Sequence, residues 1–157
     1  LSSDWTLTFD QSMGGPANYA IQRLQSWSDI DVDGIKNYSG SAIYSKTFSI
    51  EESDISKETQ AILTFENIQE IARVSINGEL CGTIFTPPYQ LDLSAHLKVG
   101  ENKISVEVIN TWNNRLVGDA KNPDQKQYTN TNIKTRFKSG NLLPSGIIGR
   151  AFIKFVK

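Results

Sequence analysis

Apolar and polar residues alternate with a period of two along most of the chain. Trp5, Leu7 and Phe9 are interleaved with Thr6 and Thr8, the pattern of a strand with one face buried, because successive side chains of a strand point to opposite faces. Tyr44, Phe48 and Ile50 share one parity, as do Ala61, Leu63 and Phe65, then Ile104, Val106 and Val108, and finally Ala151, Ile153 and Phe155. Each run carries polar residues on its other face and reads as a half-buried strand. Between Phe65 and Ile104 lies ARVSINGELCGTIF, where Asn77-Gly78 supplies the two positive-φ residues of a type I′ hairpin turn. A two-residue turn would set Ile76 opposite Glu79 and Val74 opposite Cys81, so that Cys81 shares the face of Val74 as a buried, unreactive thiol.

Short strands separated by clusters of Gly, Pro, Asn and Asp, with no amphipathic helix longer than two turns, predict an all-β fold, an antiparallel β-sandwich. One helical turn is expected at residues 94–97. Two polar stretches, residues 26–40 and 118–145, exceed the roughly 12–15 residues at which a structureless loop in a compact domain becomes unusual, and such loops tend to be functional or mobile. A length of 157 residues suits a single domain spanning 1–157. The chain opens on Leu1 without a Met or a basic-then-apolar leader, which reads as a piece of a longer protein or as a mature form.

Charge and the chemistry-bearing residues narrow the field. Sixteen basic and seventeen acidic residues leave a net charge of -1, and no window gathers Lys and Arg into a stripe, so no nucleic-acid partner is expected. No apolar run approaches the roughly 20 residues of a membrane span, so no membrane partner is expected either. Cys81 is the only cysteine and forms neither an internal disulfide nor a thiolate zinc cage. His96 is the only histidine; it reads as a surface turn residue, because no elbow-like serine accompanies it for a nucleophilic triad. The DIDVDG run at residues 29–34 begins like an EF-hand loop, with Asp29, Asp31 and Asp33 at alternate positions, but the twelfth position is Gly40 rather than a bidentate Glu. A calcium ion in a loop of another type and a solvated acidic loop both remain open there. No carboxylate pair for glycoside hydrolysis stands out: Glu51 and Glu52 fall in a polar turn, and Glu66, Glu70 and Glu107 read as solvent-facing.

Several aromatics fall outside the alternating core: Trp27, Tyr38, Tyr89, Trp112 and Tyr128 lie in or beside predicted loops. Sugar rings stack an apolar face on such aromatics and pair their hydroxyls with Asn, Asp and Arg. NTWNNRLVGD, residues 110–119, holds that mixture. Trp112, Tyr38 and Trp27 are candidate platforms, with Tyr128 beside them, and Asn113, Asn114, Arg115 and Asp119 are candidate hydroxyl partners, Arg115 being held by Asp119 as a bidentate pair. The alternative is structural: Trp112 plugs the end of the sandwich while Arg115 and Asp119 pair to pin the loop.

The segments YSGSAIYSKTFSI, LTFENIQEIARVSINGELCG, PPYQLDL, VGENKISVEVINTWNNRLVGD and SGIIGRAFI together resemble the galactose-binding-like jelly-roll domain of glycoside hydrolase family 2 sugar-binding domains. The version they resemble most stands at the C-terminal end of large bacterial enzymes of the α-L-rhamnosidase type, glycoside hydrolase family 106. The family's Tyr-x-Gly-x-Ala-x-Tyr strand is met by Tyr38, Gly40, Ala42 and Tyr44, its valine strand into Asn-Gly by Val74, Asn77 and Gly78, and its Gly-x-Asn by Gly100 and Asn102. The Asn-x-x-x-Asn-Arg-Leu-x-Gly-Asp segment, met by Asn110, Asn114, Arg115, Leu116, Gly118 and Asp119, is more distinctive, together with Ser26-Trp27.

The resemblance implies a jelly roll that serves as a noncatalytic accessory domain, binding carbohydrate or supporting an adjacent catalytic domain of a secreted, periplasmic or cell-surface bacterial hydrolase. It implies no cofactor. Two other readings stay open: a structural module whose loop aromatics bury against a neighbouring domain, and a hydrolase in its own right.

Overall fold

The computed structural model describes residues 1–32, 34–56 and 59–156. Among the described residues nine strands form two antiparallel sheets: β1 (Ser3–Phe9), β2 (Tyr19–Arg23), β3 (Ser41–Ile50), β4 (Gln60–Gln69), β5 (Ile71–Ile76), β6 (Glu79–Ile84), β7 (Gln90–Asp92), β8 (Gly100–Ile109) and β9 (Gly146–Val156). One sheet runs β2-β1-β3-β8-β5-β6 and the other β7-β4-β9. Their inner faces meet in one core, where Leu7, Tyr44, Val74 and Val106 from the larger sheet join Leu63, Phe65 and Ala151 from the smaller. This is the expected antiparallel sandwich of jelly-roll type. Strand burial follows the alternation that predicted it: in β1, Trp5, Leu7 and Phe9 are buried and the intervening residues exposed.

The motif residues of the strand ends are structural. Asn102 is fully buried; its Oδ1 accepts from Asn77 Nδ2 (3.0 Å) and the Lys98 backbone N–H (3.1 Å), and its Nδ2 donates to the carbonyls of Lys98 (2.7 Å) and Gly100 (3.0 Å). One buried amide thereby completes two turns at the same end of β5 and β8, which is what a buried polar side chain must do to avoid a desolvation penalty.

The hairpin departs from its expected register. Asn77 and Gly78 do take positive φ (54° and 88°), and Ile76 does face Glu79. A bulge then slips the pairing, so that Val74 faces Gly82 and Cys81 becomes the extra residue. A Cβ on Gly82 would come within 2.7 Å of Leu91 Cδ1; the inward position opposite Val74 is filled from β7, and only glycine leaves room for it. Cys81 is half-buried, its thiol pushed up in pKa chiefly by burial.

The stretch of residues 26–40 is packed against the sandwich at several of its described residues. Trp27 and Tyr38 are fully buried, forming with Phe9 and Tyr44 an aromatic cluster in which Phe9 and Tyr38 meet edge-to-face at 4.8 Å and Trp27 lies nearly parallel to Tyr44 at 6.3 Å. Neither ring has a face free for a sugar, so the platform role expected for Trp27 and Tyr38 is withdrawn. Each would have been stranded in water by a flat loop; the segment instead folds over the sandwich end and seals them. The Tyr44 hydroxyl accepts from Trp27 Nε1 (2.6 Å) and from the Ile147 backbone N–H (3.0 Å), and burial raises its pKa.

Replacing Tyr44 with Phe would leave both buried donors unpaired. At about 1–3 kcal/mol for each orphaned group, Tyr44→Phe is expected to lower unfolding free energy by about 2–6 kcal/mol in urea titrations, although the ring itself is retained.

Candidate functional site

Residues beyond β8 form a helix rather than the expected loop. α1 (Asn113–Lys121) buries Asn114, Arg115, Val117, Gly118 and Asp119. Its inward stripe is written mostly in polar residues at i, i+1, i+4 and i+5, the spacing of one helical face. Asn114, Arg115 and Asp119 each meet specific partners, although the Arg115 Nε–H has none among the described residues.

Asn110 fastens the approach to the helix: its side chain accepts from the Gly40 N–H (2.9 Å) and donates to the Tyr38 carbonyl (2.9 Å). Asn114 pairs with Leu143 like a neighbouring peptide unit, Nδ2 donating to the Leu143 carbonyl and Oδ1 accepting from its N–H, both at 2.8 Å. Asn113 Nδ2 donates to the Asn141 carbonyl at 3.0 Å. These two amides are thus engaged by residues 141–143 instead of being presented to a ligand.

Asp119 works on the other side of the helix. Its Oδ2 accepts from the backbone N–H groups of Tyr128 (2.9 Å) and Thr129 (2.7 Å) and from the Thr129 hydroxyl (2.7 Å). Arg115 donates from one terminal nitrogen to the Met13 carbonyl (2.9 Å) and lies over the Tyr128 ring with Cζ 4.4 Å from the centroid. The expected bidentate Arg115–Asp119 pair is therefore not formed. The carboxylate is occupied by the turn at Tyr128 and the guanidinium by Met13 and the ring, and Asp119 acts on Arg115 only as a nearby charge. Burial lowers the Arg115 pKa, with Asp119 the largest opposing influence.

Between these groups lies a cleft of about 210 Å³, walled by Arg115, Gly118, Asp119 and Tyr128 together with Gly14, Gly34, Asn37, Asn122, Gln125 and Lys126. Arg115, Asp119 and Tyr128 were expected from the sequence; Asn37, Asn122, Gln125 and Lys126 were missed, because they lie in polar stretches without periodicity. Trp112 stands apart at the start of α1, 55% exposed, and does not plug the sandwich. In the acidic loop, Asp31 pairs with Lys36 at 3.0 Å. Asp33 lies outside the described residues, and among the described residues no group of three His, Cys, Asp or Glu side chains is placed to hold a metal ion.

Residues 3–138 match the model of the sugar-binding domain of glycosyl hydrolases family 2. The chain belongs to this family. Among relatives of this sugar-binding domain, a Formosa agariphila protein provisionally named a β-glucuronidase is 36% identical over 123 residues, which is 78% of this chain and 11% of that protein. The solved structure of a rhamnosidase from Novosphingobium sp. PP1Y superposes with a TM-score of 0.89 at 33% identity, covering 98% of this chain and 14% of the rhamnosidase. A Ruminococcus gnavus β-glucuronidase shares the fold over 70% of the chain and 21% of its own, with a TM-score of 0.59 at 23% identity. The sugar-binding domain thus spans a small fraction of each of these proteins.

The cleft depends on close backbone approach. A Cβ on Gly118 would lie 2.7 Å from both Cβ and Cγ of Asn37. In an open helix Gly→Ala gains about 0.8–1 kcal/mol, whereas here the Asn37 backbone must retreat, at an overpacking cost of about 1–3 kcal/mol. Gly118→Ala is expected to lower the thermal midpoint, the reverse of its propensity, as read by differential scanning calorimetry.

Proposed function

We propose that this sugar-binding domain, residues 1–157 as a single unit, is a noncatalytic accessory domain of a larger polysaccharide-degrading glycoside hydrolase. In that role it contacts carbohydrate at the α1 end of the sandwich and supports an adjacent catalytic domain. The observation that carries the reading is the family match over residues 3–138 in a chain that spans only 11% and 14% of two relatives carrying glycosidase names. Secretion to a periplasmic, surface or extracellular site fits such a parent, and among the described residues no helix is long and apolar enough to cross a membrane.

Among the described residues, Asp10, Asp92 and Asp119 lend catalysis within the domain no support. A glycosidase needs an acid held protonated opposite a second carboxyl group. Asp10 and Asp92 are instead drawn down in pKa, each first by the neighbouring serine hydroxyl and then by that serine's N–H, and Asp119 is engaged in holding the Tyr128–Thr129 turn.

A purely structural role is favoured by the burial of Trp27 and Tyr38 inside the fold, and Trp112 separates the two readings. Its indole is more than half exposed, so Trp112→Ala should leave the thermal midpoint within a few degrees. Retention on a rhamnose- or galactose-containing glycan array is expected to fall by about tenfold or more, as for loss of an aromatic anchor. Unchanged retention by the folded variant would remove Trp112 from the carbohydrate surface.

A further inference from the structure

The cleft beside α1 has more positive charge than its internal pairing uses. Arg115 keeps only 6% of its surface exposed, yet among the described residues its Nε–H has no hydrogen-bond partner. A buried guanidinium N–H without an acceptor is costly, and an incoming acceptor near the guanidinium would offset that cost. Lys126 adds a second cation 4.8 Å from the centroid of the same Tyr128 ring that Arg115 covers. Lys126 is in no ion pair among the described residues. Against these two stands Asp119, with Oδ2 committed to three donors.

The walls are preformed. A Cβ on Gly14 would lie 2.5 Å from Tyr128 Cζ, and one on Gly34 would strike the Gly14 carbonyl, so three chain segments close on one another where only glycine permits it. Asn37, Asn122 and Gln125 contribute amides that suit hydroxyl groups. At about 210 Å³ the space is smaller than the roughly 300–1,000 Å³ of pockets for drug-sized ligands, which fits one sugar residue and not an embedded oligosaccharide.

We propose that this cleft binds a single acidic sugar residue, its carboxylate or sulfate oxygens meeting the Arg115 guanidinium and Lys126 Nζ and its hydroxyls meeting the amides of Asn37, Asn122 and Gln125. The proposal deepens the carbohydrate-contact reading given above and rests on it. Both anions present the same chemistry to a guanidinium, namely oxygen acceptors carrying full charge.

Isothermal titration of the chain with three probes decides the matter: a uronic-acid disaccharide, a sulfated neutral disaccharide and the unsulfated neutral disaccharide. Binding of either acidic probe, weakening as salt rises, with no binding of the neutral one is the expected result, and the probe that binds identifies the anion. Lys126→Gln, an exposed change that leaves the Arg115 contacts in place, should weaken that binding about tenfold, in line with loss of one charge-assisted bond. Arg115→Lys should weaken it further if circular dichroism shows the fold intact. Equal binding of the neutral probe overturns the proposal while leaving carbohydrate contact standing. Failure of all three probes, or acidic binding that Lys126→Gln leaves unchanged, also overturns it; Trp112-dependent glycan retention then stands or falls by itself.

Discussion

The hydroxyl of Tyr44 is the point on which the geometry of the sandwich end depends. It projects from β3 into the gap between the sheets and takes hydrogen bonds from Trp27, in the long excursion after β2, and from Ile147, at the start of β9. Between those partners, Gly146 adopts φ 86°, and a Cβ there would lie 2.5 Å from both Trp27 Nε1 and the Tyr44 oxygen. A short backbone pairing continues the link: the Trp27 N–H donates to the Ser145 carbonyl (3.0 Å) and the Ser145 N–H to the Ser26 hydroxyl (3.0 Å). A buried hydroxyl that satisfies two donors is stabilising only as a complete set. Ser26 and Trp27 are thereby tied to the entry into β9.

With those two segments fixed, α1 has a prepared seat. Ser39 offers its hydroxyl to the Arg115 N–H at 3.0 Å, Leu143 offers a peptide edge to Asn114, and Asn37 sits against Gly118. The helix is held by polar pairing more than by an apolar stripe. This explains how a nine-residue helix with exposed Lys121 and half-exposed Leu116 and Ala120 persists at a length where isolated helices are marginal in water. The same arrangement generates the cleft. Asp119 reaches outward to gather the Tyr128 turn, and Arg115, on the same face one turn earlier, is left beneath the ring that turn delivers.

The strands were legible because each buries one face, and burial of one face leaves a period-two trace in the residues themselves. The scaffold motifs were legible for a related reason: Asn77-Gly78 and Gly100-x-Asn102 encode local backbone geometry, and local geometry needs no knowledge of distant chain. What failed to show was burial achieved by polar groups. Asn114, Arg115 and Asp119 read as ligand-seeking side chains because a sequence does not reveal that Leu143, Met13 and Tyr128 will come to meet them. Trp27 and Tyr38 were misplaced by the opposite error, being assigned to the surface because their neighbours are polar. Lys126 and Asn37 left no mark at all, since their importance is a matter of which loops converge.

A division of labour follows among the residues of NTWNNRLVGD. Asn110, Asn114 and Asp119 tie down residues 38–40, 141–143 and 128–129 respectively, so the segment is first a clasp for three surface excursions of the sandwich. Trp112 and Arg115 are the members whose chemistry the clasp does not consume, since the indole is exposed and one guanidinium N–H is unpaired among the described residues. A domain needing only mechanical integrity would be served as well by a buried aliphatic residue at position 115, because burying a charge without full pairing destabilises the fold. The cost retained at Arg115 lies beside a cleft whose walls approach closely at Gly14, Gly34 and Gly118, and an anion bound there would offset it.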